Sequence, residues 1–228
     1  DNVSKALNTN IEATHKIFNV CSKLNIPILI TSTSEVYGVS EDEIWTEETK
    51  SLLGPPTKLR WSYATSKLID EFMALAEYND GNLNPIIVRL FNIIGPNQSS
   101  EFGMVVPKFV DAAIKGDEII IHGTGEQTRS FSYIEDTLDG ILKIIHHEES
   151  DVFNIGNDNE VTIKYLAEKI IELTNSNSKI VYHELPINDP KQRKPDLTKA
   201  KELLNYKPKT SLEDGLKLTI DWISANYK

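Results

Sequence analysis

Apolar residues recur at helical spacing from the start of the chain, with Val3, Leu7, Ile11, Phe18 and Cys21 on one side of a helix predicted over Asn2 to Leu24. Asn25 and Pro27 interrupt that period, and the apolar β-branched run Ile28 to Ile30 predicts a strand. Val39 to Leu59 is acidic and broken by Gly54, Pro55 and Pro56, which predicts a surface loop. Helical spacing returns from about Ser62 to Tyr78, where Leu68, Phe72, Leu75 and Ala76 supply the apolar face. Asn84 and Pro85 then introduce a buried-type strand, Ile86 to Phe91.

Beyond Gly103 helix and strand alternate. Val105 to Ile114 reads as a helix, and Gly116 with Asp117 turns into a strand at Ile119 to Ile121. Asp136 to His146 is helical, ending at the solvated pair His146 and His147, and Val152 to Gly156 is a strand. Thr162 caps a helix running to Thr174, and Ile180 to Tyr182 is a short strand. A helix starting near Leu197 closes before Pro208, and Ser211 with Asp214 opens a terminal helix by a capping-box-like arrangement.

Composition narrows the function classes. The 228 residues suffice for one domain with a substantial core, or one domain and a small lobe. With 34 Asp and Glu against 24 Lys and Arg, and no long basic run, the chain is unsuited to sequence-independent nucleic-acid binding. Any phosphate site must therefore be local. A single cysteine, Cys21, excludes an intramolecular disulfide and reads as a small apolar helix residue. No apolar stretch is long enough to span a membrane, no signal peptide is visible, and no cluster of metal ligands stands out. The expectation is a cytoplasmic soluble protein that works without a metal and without a membrane.

The strongest chemical signal is RWSYATSK, Arg60 to Lys67. Tyr63 and Lys67 are four residues apart, so on a helix they share a face. A phenol loses its proton near pH 10 (about), and a cation beside it favours the phenolate. Tyr63 is therefore a candidate to exchange a proton with a hydroxyl group. Upstream, the strand at Ile28 ends in Thr31, Ser32, Thr33, Ser34 and Glu35. Open parallel sheets collect ligands where strands deliver polar side chains at their carboxyl ends.

A hydroxyl here, ahead of a Tyr-x-x-x-Lys pair, resembles the Ser/Thr-Tyr-Lys triad of the short-chain dehydrogenase/reductases. Specifically it is similar to their extended branch, the NAD-dependent nucleotide-sugar epimerases, dehydratases and decarboxylases. The resemblance implies the C-terminal part of a Rossmann-like doubly wound parallel α/β sheet over 1–95, with a strand returning near 152–156. A smaller α/β substrate-binding lobe is implied over 96–228. Thr33, Ser34, Glu35, Tyr63 and Lys67 would be catalytic, and Thr31, Tyr63, Lys67 and Phe91 would face the NAD. It further implies that the helix from Ser62 pairs with its copy in a homodimer.

Three later segments extend the resemblance. In FNIIGP, Phe91 would lie near the nicotinamide and Asn92 near the substrate phosphates. In HGTGEQTRSFSYIED, Gly123 and Gly125 allow close backbone approach, and Arg129 offers a planar fork suited to a diphosphate. In QRKPD, Arg193 would reach the substrate diphosphate or sugar. Residues 1 to 30 contain no glycine, whereas such folds open on a glycine-rich turn that meets the pyrophosphate. Roughly the first third of such an enzyme is thus expected upstream of Asp1, and the chain alone is expected to bind NAD poorly.

Within the branch, Thr33-Ser34-Glu35 with the arginine of R-K-P-D resembles the UDP-glucuronate decarboxylases. The dTDP-glucose 4,6-dehydratases look like Thr-Asp-Glu there, the GDP-mannose 4,6-dehydratases share Thr-Ser-Glu, and simple 4-epimerases usually lack the acid. A nucleotide-sugar substrate, a UDP-sugar foremost, handled through a 4-keto intermediate with NAD is what the resemblance implies. The alternative of another class is a catalytically silent fragment that binds a nucleotide sugar or a partner subunit.

Overall fold

The computed structural model describes residues 3–99, 104–185 and 192–226; Asn2 and Gly103, which bound two of the predicted stretches, lie outside the described residues. The chain divides into two compact units. The first comprises 1–91, 139–155 and 195–206, and the second comprises 92–138, 156–194 and 207–228.

The first unit opens with helix α1 (Val3–Leu24). Asn25 takes a left-handed conformation, φ 53°, which ends the helix and turns the chain into strand β1 (Ile28–Thr33). Strand β2 (Pro85–Leu90) lies parallel between β1 and strand β7 (Asp151–Ile155), in the order β1-β2-β7. Successive strand residues face opposite sides of the sheet. On one side Ile87 packs with Phe18 of α1 and with Ile30, Ala74 and Leu83. On the other, Ile86 and Val88 pack with Phe153, Ile155, Leu204 and Tyr206. Each such aliphatic side chain removed from water stabilises the fold by about 1.5–3 kcal/mol.

Helix α2 (Ser62–Asn79) departs from the expected apolar face. Phe72 is 70% exposed, and the buried positions are Ala64, Ser66, Asp70, Glu71 and Ala74. The inward side is therefore small or hydrogen-bonded rather than greasy, and the polar residues it carries are paired, with Asp70 Oδ1 left over among the described residues. Glu71 pairs with Arg89 of β2 at 2.7 Å and Lys67 with Asp70 at 2.9 Å, while Ser66 donates to the Tyr63 carbonyl at 2.8 Å.

The second unit is built on strand pairs. Strand β3 (Ile93–Ile94) runs parallel to β6 (Ser132–Tyr133), and β4 (Ile119–His122) runs parallel to β9 (Ile180–His183). Strand β5 (Thr128–Ser130) is antiparallel to β8 (Glu160–Thr162). Helices α3 (Val105–Lys115), α5 (Ile163–Thr174) and α7 (Leu212–Ala225) close over a core that includes Val110, Ile119, Ile121, Leu166, Ile170 and Leu216. Thr162 and Ser211 cap α5 and α7 as their sequence positions indicate, accepting from the Tyr165 and Asp214 amides. Helix α4 (Ile134–Ile145) contributes to both units, and α6 (Thr198–Leu204) belongs to the first. Among the described residues no helix is long and apolar enough to cross a membrane.

Candidate functional site

In the first unit the polar groups collect at the carboxyl end of β1. Thr31 is exposed there, while Ser32 turns inward and donates to Glu71. Thr33 is half-buried and caps a short 3-10 turn, η1 (Ser34–Tyr37), by accepting from the Glu35 amide at 3.2 Å. That turn buries the Ser34 side chain and leaves Glu35 half-buried. Tyr63, in the first turn of α2, is 51% exposed and hydrogen-bonded with Thr33. Thr33, Glu35 and Tyr63 are thus brought to one place.

The phenol does not respond to Lys67 as its spacing suggests. Tyr63 is held above the usual phenol range, first by burial, and the Thr33 hydrogen bond opposes that rise. The Glu35 and Asp70 carboxylates push it further up. The Lys67 ammonium sits on Asp70, 2.9 Å away.

Phe91 is buried at 1% exposure between Tyr37 and Trp45, with ring centroids 6.1 and 6.3 Å away. The stretch Val39 to Leu59 is not a loose surface loop. Trp45 is fully buried, its carbonyl accepts from Asn154 Nδ2 at 2.9 Å and from the Asp196 amide at 2.8 Å, and Val39 bonds back to Leu52. Gly38 makes this return possible, with φ 66° and a position where any Cβ would meet the Leu52 carbonyl oxygen at 2.1 Å.

Beneath the site lies a polar network that the sequence reading passed over. Arg89 donates to both oxygens of Glu71, to the Tyr37 hydroxyl at 3.0 Å and to the Glu47 carbonyl at 2.7 Å. Tyr37 in turn donates to Asn154 at 2.7 Å, and burial pushes its hydroxyl up to about 12. A charged residue inside the apolar run PIIVRL is the available signal, because a buried arginine requires a carboxylate partner.

The second unit gathers three of the expected substrate-binding residues around Ser130. Asn92 Nδ2 donates to the Ser130 carbonyl at 3.0 Å, and Ser130 Oγ donates to the Arg193 carbonyl at 3.5 Å. Arg129, adjacent on β5, and Arg193 are each 8% exposed. Arg129 Nη1 donates to the Thr128 carbonyl at 2.7 Å, and a guanidinium fork can in general engage two phosphate oxygens. Gly123 and Gly125 both have left-handed backbones, φ 80° and 82°, and a Cβ on Gly123 would meet Leu185 at 2.9 Å. Gln127 closes this turn by donating to the His122 carbonyl at 2.6 Å.

Comparison with known proteins places these arrangements in a family. The NAD dependent epimerase/dehydratase family matches residues 1–156. A UDP-N-acetyl-alpha-D-glucosaminuronate decarboxylase of Bacillus cytotoxicus is 36% identical over 95% of this chain and 69% of its own length. UDP-glucuronic acid decarboxylase 5 of Arabidopsis thaliana is 36% identical over 95% of this chain, which spans 63% of that relative. Among solved structures, a UDP-glucose 4-epimerase of Thermotoga maritima with UDP-glucose superposes at a TM-score of 0.91. It is 26% identical, over 100% of this chain and 73% of that one. A UDP-glucuronic acid 4-epimerase of Bacillus cereus, in complex with UDP-glucuronic acid and NAD, gives 0.87 at 25% identity, over 96% and 69%. On the family match and the identity to these relatives, the chain belongs to the NAD dependent epimerase/dehydratase family, whose fold is the Rossmann-like α/β sheet.

Proposed function

We propose that this chain carries the proton-transfer group and the nucleotide-sugar cradle of an enzyme that oxidises a UDP-sugar at C4, with UDP-glucuronate decarboxylation as its reaction. The single observation behind this reading is the half-exposed Tyr63 side chain, hydrogen-bonded with Thr33 and near Glu35 at the carboxyl end of a parallel strand. The residues present fit the nicotinamide end of NAD: an exposed threonine, an exposed phenol and an ammonium group, all beside β1. Thr31, Tyr63 and Lys67 would hold it, and Phe91 would back the site from the core. When bound, NAD supplies a two-electron acceptor for the hydride leaving C4.

Tyr63 takes the hydroxyl proton as the C4 carbonyl forms, and Thr33 keeps the phenol oxygen aimed through their hydrogen bond. The phenol accepts that proton only in its ionised form; because burial holds it up, the phenolate fraction, and with it proton acceptance, rises as pH rises. A uronic acid carrying a 4-keto group is a β-keto acid. Its C5–C6 bond breaks with loss of carbon dioxide, the electron pair enters the C4 carbonyl as an enolate, and a proton returns at C5; return of the hydride to C4 and of the Tyr63 proton to its oxygen then gives the pentose. Ser34 and Glu35 are the side chains proposed to place the carboxylate and manage that proton. Asn92, Arg129 and Arg193, with the turn at Gly123, would bind the substrate phosphates.

The decarboxylase reading is supported by the sequence relatives at 34–36% identity, which are a UDP-N-acetyl-alpha-D-glucosaminuronate decarboxylase and UDP-glucuronic acid decarboxylases. Incubation of the protein with NAD and UDP-glucuronate should yield carbon dioxide and a UDP-pentose. A C4 epimer without carbon dioxide would instead identify an epimerase. Glu35→Gln should abolish carbon dioxide release while C4 oxidation stays measurable as nicotinamide absorbance; equal loss of both would remove the role given to Glu35.

A homodimer is also part of this proposal. Exposed Ile17, Val20 and Leu24 on α1 and Phe72 on α2 supply apolar surface that a second copy would cover.

A further inference from the structure

Strands β5 and β8 form a ribbon of only three residue pairs, in which Arg129 faces Val161 and Ser130 faces Glu160. So short a two-stranded ribbon is marginal by itself, and side-chain bonds must hold what it presents. Glu160 supplies them. Its Oε1 accepts from the Thr128 hydroxyl at 2.8 Å, and its Oε2 accepts from Gln192 Nε2 at 2.8 Å and lies 3.8 Å from the Lys194 ammonium. The Glu160 side chain is 16% exposed, so little water competes for those bonds.

Each partner of this carboxylate adjoins an arginine of the proposed phosphate site, and all of them lie in the second unit. Thr128 precedes Arg129, and its carbonyl accepts from Arg129 Nη1 at 2.7 Å. One residue thus links the Glu160 carboxylate to that guanidinium. Gln192 and Lys194 stand on either side of Arg193, whose carbonyl accepts from Ser130, the residue paired across the ribbon with Glu160. Both arginine-bearing segments are therefore fastened to a single anion.

The charge of Glu160 works against simple attraction. A carboxylate close to a diphosphate site repels the ligand, and by engaging Lys194 it also draws a cation away. Its value lies in its bonds. We propose that Glu160 is a positioning residue for the substrate diphosphate: it clamps the Arg129 and Arg193 segments together, so that both guanidinium groups are set for one ligand before it arrives. The inference deepens the proposed function and rests on Arg129 and Arg193 binding the phosphates.

The test is UDP binding to the full chain by isothermal titration calorimetry, with uridine, which carries no phosphate, followed by NMR. Arg129→Ala and Arg193→Ala check the phosphate contacts, and each should weaken UDP while sparing uridine. Glu160→Gln keeps the size of the side chain but leaves one accepting oxygen and no charge. It should raise the UDP Kd about tenfold or more, the scale of a charge-assisted hydrogen bond, with the uridine Kd unchanged. An unchanged UDP Kd, or the tighter one that charge repulsion alone predicts, overturns the proposal. So does an equal loss for UDP and uridine, the mark of a purely structural role. Should Glu160→Gln not fold, Gln192→Ala, which removes one arm of the clamp and leaves the carboxylate, is read by the same criteria. A parent that binds no UDP, or arginine variants that bind it like the parent, would remove the phosphate site and the clamp with it. Weakening in the arginine variants without weakening in Glu160→Gln removes the clamp alone.

Discussion

At the scale of single residues, the chemistry turns on which partner each charged group has found. Tyr63 and Lys67 were legible in the sequence because their spacing is a property of any helix. The capture of Lys67 by Asp70 was not, because helix spacing alone cannot tell which of two neighbours an ammonium will choose. Burial decides it, and burial is a tertiary property. The same holds for Arg89, whose position in an apolar strand signals a buried charge without saying that Glu71 answers it. This pair is nearly sealed, with side-chain exposures of 12% and 4%. Truncating Arg89 to Ala strands a buried carboxylate and should cost about 3–5 kcal/mol of stability, measured by urea unfolding. A loss below about 1 kcal/mol would place the pair with solvent-screened surface bridges.

At the scale of elements, strands and helices with strong periodicity were readable nearly end to end. The predicted Val105–Ile114, Ile119–Ile121 and Thr162–Thr174 stretches match the observed elements to within a residue or so. The two-residue strands β3 and β6 were not read, since two residues carry no period. The face of α2 was misread for a definite reason. Hydrophobic spacing assigns Phe72 to the core, whereas hydrogen bonds allow Ser66, Asp70 and Glu71 to go inside. His147 likewise leaves the expected solvated pair to pack edge-on against Phe153, 5.2 Å away. The exposed Phe72 carries the prediction that belongs to this scale. Sedimentation should show a dimer, and Phe72→Glu should shift it towards monomer with the α-helical circular dichroism unchanged. A monomeric parent protein would refute the proposed pairing.

At the scale of the whole molecule, the parallel β1-β2-β7 sheet delivers hydroxyls to one end, and the second unit assembles Asn92, Arg129 and Arg193 around Ser130. Under the proposed function each cluster would serve half of the requirement for a nucleotide-sugar enzyme: a proton acceptor beside the cofactor, and cations for a diphosphate. The sequence singled out both sets of residues because their motifs are local, Tyr-x-x-x-Lys and the glycine-arginine turn. It could not show that Val39–Leu59 is fastened through Trp45, as those bonds join residues about a hundred positions apart. The central claim is that the Tyr63 hydroxyl takes the proton from the sugar. The most direct measurement is the rate of UDP-glucuronate turnover with NAD, in the parent protein and in Tyr63→Phe. The account predicts a loss of about a hundredfold or more in the variant, with substrate binding kept. A variant turning over at the parent rate would contradict it.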